Sequence, residues 1–145
     1  MNMSTTGLAL LIIAAESVLP SAAVAGDTIA SPLAARPGDA RRGEALIGDR
    51  QKSLCILCHA GPFGERHLQG TLGPDLSGVG GRLATGQIRL RIVDIKQLNP
   101  ASIMPSYDRI DDEDGRRIAA AWRGRPVLGA GEIEDLVAYL ATLKD

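Results

Sequence analysis

Cys55-Ile56-Leu57-Cys58-His59 constrains this chain more than any other stretch. Two thiols three residues apart, with a histidine directly after the second, form the attachment signature of a covalent haem. The thiols add to the two vinyl groups along one edge of a porphyrin, and the histidine is then held under the iron as proximal ligand. Competing chemistries ask for more than the sequence offers. A redox dithiol of thioredoxin type wants a βαβ context, and no alternating strand pattern flanks Cys55 and Cys58. A zinc site takes four ligands. Only Cys55, Cys58, His59 and His67 are present as thiols or imidazoles, and neighbouring Cys58 and His59 do not easily face one metal.

The 145 residues suffice for one domain. Aromatic residues make up only 3% of them, too few for an ordinary small core, and a buried porphyrin would supply the missing flat apolar surface. Residues 1–25 read as an export signal: Leu8 to Ala15 is an apolar run, and Ala23-Val24-Ala25 is a small-x-small cleavage site. No Lys or Arg precedes that run, and Glu16 follows it. The run is well short of the ~20 residues a spanning helix needs, so no membrane span is expected after cleavage. The mature chain is expected to begin near Gly26 in the periplasm. Removing residues 1–25 takes away one charged side chain, Glu16, and leaves 16 basic and 16 acidic groups. That balance excludes an electrostatic footprint for nucleic acid. With both cysteines committed to haem, no structural disulfide is available.

Residues 26–37, with Pro32 and Pro37, are expected to form an extended, poorly ordered arm before a domain over 38–145. Asp39 is a candidate N-cap for a helix over 39–51, in which Gly43 suggests the close approach of another helix. Residues 60–81 hold seven glycines and two prolines and are expected to wrap the haem as loop. Thr85 is a candidate cap for a helix over 86–98, with Ile88, Ile92 and Ile95 on one face, stopped by Asn99-Pro100. Asp111 opens a further helix, with Asp112, Glu113 and Asp114 in its first turn, that runs to about Trp122-Arg123-Gly124. Ile133, Leu136, Val137, Leu140 and Leu143 mark the last amphipathic helix. No convincing strand is present, and the fold class is all-α, a few helices round one haem.

An iron held by His59 needs a sixth ligand or an open site. Met104, between Ile103 and Pro105, is the single methionine after residue 25. Its thioether is a soft ligand that favours ferrous iron and raises the potential, and Pro105 stiffens the backbone beside it. His67, in glycine-rich loop, is the competing ligand. The second nitrogen of His59 needs a partner to orient the ring, and the Pro74 carbonyl in Gly73-Pro74-Asp75-Leu76 is the candidate. Arg82 is the first candidate donor to the haem propionates, with Trp122 and Tyr107 behind it. The candidate haem-binding set is therefore Cys55, Cys58, His59, Pro74, Arg82 and Met104, with His59 and Met104 on the metal.

These motifs, followed by the terminal 135–143 helix, resemble a class I cytochrome c in order and spacing. That resemblance implies a helix pairing of Gly43 against Tyr139 or its neighbours. A narrower resemblance covers nearly all of residues 38–144. Thr71-Leu72-Gly73-Pro74-Asp75-Leu76-Ser77-Gly78-Val79-Gly80, then Leu98-Asn99-Pro100 with Ile103-Met104-Pro105-Ser106-Tyr107, then Glu134-Asp135-Leu136-Val137-Ala138-Tyr139-Leu140 are similar to SoxX. SoxX is the monohaem subunit of the sulfur-oxidising SoxAX complex. One departure is Gly129-Ala130-Gly131 where a polar cap is expected. The SoxX resemblance implies one covalent haem, a SoxA-like haem subunit as heterodimer partner, a SoxYZ-like carrier reached through the complex, and a downstream cytochrome or oxidase. It implies a non-catalytic electron-transfer subunit of an L-cysteine S-thiosulfotransferase, with no catalytic residue on this chain. The alternatives are a free-standing periplasmic electron carrier and a small haem catalyst whose Met104 leaves the iron.

Overall fold

A computed structural model of the chain describes residues 24–110 and 123–145. Most of the expected export signal lies outside them, as does nearly all of the helix expected from Asp111, with Trp122. The described elements are a two-residue strand pair, β1 (Val24–Ala25) and β2 (Thr28–Ile29), and four helices, α1 (Ala40–Ile47), α2 (Val79–Arg82), α3 (Thr85–Asp94) and α4 (Ala130–Leu140). Single 3-10 turns span Cys55–Leu57, Arg66–Leu68 and Ile95–Gln97. Among the described residues no helix is long and apolar enough to cross a membrane.

The frame is the crossing of α1 on α4. Asp39 caps α1 as expected, its carboxylate accepting from the N–H groups of Arg41 (2.9 Å) and Arg42 (3.1 Å). The buried face of α1 is Gly43 and Ile47. A Cβ on Gly43 would stand 2.0 Å from the Asp135 carbonyl oxygen and 2.7 Å from Tyr139 Cβ. The pairing implied for Gly43 and Tyr139 is therefore present, and it is a backbone-to-backbone contact. α4 in turn buries Ile133, Leu136, Val137 and Leu140, the stripe read from its sequence.

Two acidic residues of α4 are also buried, Glu134 at 5% and Asp135 at 4% exposure. A buried carboxylate needs a cation and hydrogen bonds to offset its lost hydration. Asp135 takes two bonds from Arg42 (Nε to Oδ2 2.8 Å, Nη2 to Oδ1 2.9 Å) and one from the Asp39 N–H (2.8 Å). Glu134 is matched by buried Arg89 of α3 (Nε to Oε1 2.7 Å, Nη2 to Oε2 2.9 Å). The same guanidinium donates from Nη1 to the Ile29 carbonyl at 2.6 Å, and Glu134 accepts from the Leu33 N–H at 2.9 Å.

Those last bonds correct the expected arm. Residues 26–37 are not a poorly ordered extension, because β1 and β2 pair antiparallel around Gly26, at φ +62°, and Ile29 is buried. Gly86 of α3 leaves room for this segment, since a Cβ there would meet Thr28 Oγ1 at 2.2 Å. Cleavage after Ala25 would remove β1 and leave β2 held by Ile29 and Arg89.

Three helix ends differ from the sequence expectation, each through a side chain bonding to backbone. α1 stops at Ile47, where Ser53 Oγ donates to the carbonyls of Leu46 and Asp49. α3 starts after Ala84 rather than Thr85, with Gln87 Oε1 accepting from the Ala84 N–H at 2.9 Å. It ends at Asp94, whose carboxylate accepts from the Lys96 N–H at 3.1 Å and opens the turn at 95–97. α4 replaces its missing polar cap with Glu132, which accepts from the Gly129 N–H at 3.0 Å.

Gly43→Ala should destabilise the protein by about 2 kcal/mol. The helix-propensity gain of roughly 1 kcal/mol is outweighed by overpacking against backbone that cannot yield. Gly129→Ala, with its nearest atom at 3.8 Å, should stay within about 0.5 kcal/mol of wild type. Urea denaturation of the two variants checks both values, and equal stabilities would contradict the close crossing.

Candidate functional site

The C-x-x-C-H segment sits on the tight turn at 55–57, entered through Leu54 at φ +62°. That left-handed conformation costs a non-glycine residue roughly 1–2 kcal/mol, and the strain lies directly beside Cys55. His59 N–H donates to the Cys55 carbonyl at 2.9 Å, which closes the turn under both thiols. Cys55 and Cys58 are not joined to each other. Burial pushes the Cys55 thiol above its ordinary pKa. A redox dithiol requires the opposite shift.

The glycine-rich loop lies along this turn through three backbone bonds. Gly70 N–H donates to Ile56 (2.8 Å), Gly73 N–H to Cys58 (2.7 Å) and Leu76 N–H to Ala60 (2.8 Å). This register brings the Pro74 carbonyl to His59 Nδ1 at 2.8 Å, as the sequence leads one to expect. Gly73 is what admits the imidazole, because a Cβ there would stand 2.4 Å from His59 Cε1. With its proton on Nδ1 and directed at Pro74, the ring turns its lone pair to Nε2, the tautomer a metal ligand needs.

Arg82, at the end of α2, is exposed and braces the same loop. It donates to the carbonyls of Ser77 (2.6 Å) and Asp75 (3.2 Å). Hydrogen bonds from Ser77 hold the Asp75 carboxyl below its ordinary pKa, so the turn after Pro74 is tied from both ends. His67 stands at the surface with Nε2 3.3 Å from Glu65 Oε2.

Met104 is half-buried and packs against the core, while adjacent Ile103 is exposed. The Met104 N–H donates to Ser102 Oγ at 3.2 Å, and its carbonyl accepts from Lys96 Nζ at 2.9 Å. Ser106 Oγ donates to the Asp94 carboxylate. Tyr107 is buried, and its hydroxyl donates to the Ser53 carbonyl at 2.5 Å, two residues before Cys55. The Cys55 thiol approaches the same carbonyl at 3.6 Å. Burial first, and then the neighbouring Cys55, pushes the Tyr107 hydroxyl pKa up. Tyr107 thus joins the Met104 loop to the C-x-x-C-H turn.

Asp94, Lys96 and Ser53 were not found by sequence reasoning. Their bonds run to backbone or across a loop, and no spacing announces them. Among the described residues no three or more His, Cys, Asp or Glu side chains gather as a metal site, so the zinc alternative has no ligand cluster there. The residues present fit a covalent haem instead. Two unpaired thiols and an imidazole presenting Nε2 lie on one turn, and Met104 lies on a second loop joined to that turn through Tyr107. These are the donor types such a group would take. Gly73→Ala should cost about 1–3 kcal/mol and break the His59–Pro74 bond. Denaturation together with the His59 Nδ1 proton resonance checks this, and an unshifted resonance would show that the ring is held otherwise.

No protein-family model matches the chain, and no curated protein matches it. Among solved structures it is similar to the crystal structure of SoxXA from P. pantotrophus, with a TM-score of 0.73 and 28% sequence identity. The match covers 82% of this chain and 91% of that one. The fold is accordingly all-α and of class I cytochrome c type, and the chain is SoxX-like.

Proposed function

We propose that this SoxX-like chain is the electron-transfer cytochrome subunit of a periplasmic thiosulfate-oxidising complex. The observation that carries the reading is the His59 Nδ1 bond to Pro74 inside a C-x-x-C-H turn, on a fold similar to SoxXA. Cys55 and Cys58 would hold one haem covalently, with His59 and Met104 as the ligands to its iron. Arg82 supplies propionate donors from a guanidinium that has more N–H groups than its two carbonyl bonds use. A haem held in this way supplies one-electron exchange at iron. Around it, the Pro74 carbonyl orients the imidazole and Tyr107 ties the Met104 loop to the attachment turn.

Joining thiosulfate to a thiol forms a sulfur–sulfur bond and releases two electrons and one proton. This chain has two cysteines, both used for attachment in this reading, so it has no thiol left to accept sulfur. It has no second redox group to take the other electron. The coupling therefore belongs to a SoxA-like partner acting on a SoxYZ-like carrier. This chain passes the electrons singly to a downstream cytochrome or oxidase, and it carries no catalytic residue. An export signal over 1–25 and a mature start near Gly26 belong to the same reading.

The purified chain should exchange electrons with a chemical reductant yet fail to couple thiosulfate to a thiol. Addition of a SoxA-like subunit should give activity, with reduction of this chain's haem during turnover. Conjugation by the single chain at the rate of the complex would overturn the assignment. A single ~13 kDa species in gel filtration of the native protein, with no partner, would favour the free-standing carrier.

A further inference from the structure

Beyond the turn at 95–97, residues 98–110 carry no helix or strand, so a few tertiary bonds place the backbone of Met104. The bond from Met104 N–H to Ser102 Oγ lies within the loop and fixes its shape only. The Met104 carbonyl leads into Pro105 and accepts from Lys96 Nζ at 2.9 Å. Lys96 is itself set by Asp94, whose carboxylate accepts the Lys96 backbone N–H at 3.1 Å. That carboxylate also accepts the Ser106 hydroxyl. Asp94 and Lys96 thereby grip the loop on either side of Pro105, one at Ser106 and the other at Met104. Further along, Tyr107 N–H reaches the Ile92 carbonyl at 3.2 Å, which anchors the exit of the loop but not its tip.

We propose that Lys96, held by Asp94, is the positioning residue that keeps the Met104 thioether at the iron. The inference rests on the reading of Met104 as sixth ligand. A thioether favours ferrous iron, so its bond to ferric iron is the weaker one and depends more on how firmly the loop is held. A hydrogen bond from an ammonium is about twice as strong as one between neutral groups. Such a bond fixes the backbone from which the flexible Met104 side chain has to reach the iron.

The test uses the full exported chain carrying its haem. Lys96→Met keeps the length and apolar stem and removes the donor, while Lys96→Arg returns a charged donor. Imidazole, a neutral competitor whose entry requires Met104 to leave, is titrated into the ferric protein. The long-wavelength sulfur-to-iron absorption is followed alongside. Lys96→Met should bind imidazole about tenfold more tightly, with a weakened absorption band, and Lys96→Arg should move back toward wild type. Ser106→Ala removes a single hydroxyl and serves where Lys96→Met yields too little protein; a smaller rise in affinity is expected. Unchanged imidazole affinity in these variants overturns the proposal, even if their melting temperatures fall. A wild-type protein without the sulfur-to-iron band would overturn the Met104 reading and this inference together.

Discussion

Glu134 and Asp135 are consecutive carboxylates in the middle of the last helix, and both are almost fully buried. Neither is tolerable there without its own cation, and the cations come from different parts of the chain. Arg42 brings α1 to Asp135, and Arg89 brings α3 to Glu134. Through the carbonyl of Ile29 and the N–H of Leu33, the Glu134 site also gathers the N-terminal segment. Removing one member of the Arg89–Glu134 pair, buried on both sides, should cost ~3–5 kcal/mol because it strands the other, whereas an apolar replacement of both is often neutral. The Arg42–Asp135 pair, with its arginine half exposed, is worth less. These pairs therefore contribute chiefly by fixing which faces of the helices meet. Glycine at position 43 then lets α1 settle to backbone contact with α4.

This frame sets the two loops that matter. α3 leaves the core at Asp94, and the same carboxylate that ends the helix takes the hydroxyl of Ser106. On the other side, α1 ends where Ser53 satisfies its carbonyls, and Leu54 turns the chain into Cys55. Tyr107 bonds to Ser53 and joins the two. The loops that carry His59 and Met104 are thus extensions of helix ends whose positions are already decided.

Features written in short spacings were legible in the sequence. They include the C-x-x-C-H turn, the Asp39 cap, the amphipathic stripe of α4 and the Pro74 loop. Gly43 was legible as a close-approach position, because a glycine inside an amphipathic helix has few other uses. The Arg89–Glu134 pair was not, since its partners lie 45 residues apart and a charged residue on an apolar helix face reads as a flaw in the pattern. The packing of residues 26–33 escaped for the same reason: their anchors are an arginine and a glutamate on other elements. Helix ends were overrun at Ile47, where Gly48 is the C-cap and offered a signal that was passed over, and at Asp94, where a carboxylate captures a backbone N–H without any proline or glycine to signal it. Nearly all of the helix expected from Asp111 falls outside the described residues.

In the proposed function, the helices, the tied imidazole and the loop of Met104 would enclose one covalently attached haem. Intact mass of the exported, denatured protein tests this most directly, because denaturation removes every bound group except a covalent one. The account predicts a polypeptide beginning at or near Gly26 with the added mass of one haem, and loss of that addition when Cys55 and Cys58 are both replaced by alanine. A mature polypeptide with no added mass would contradict it.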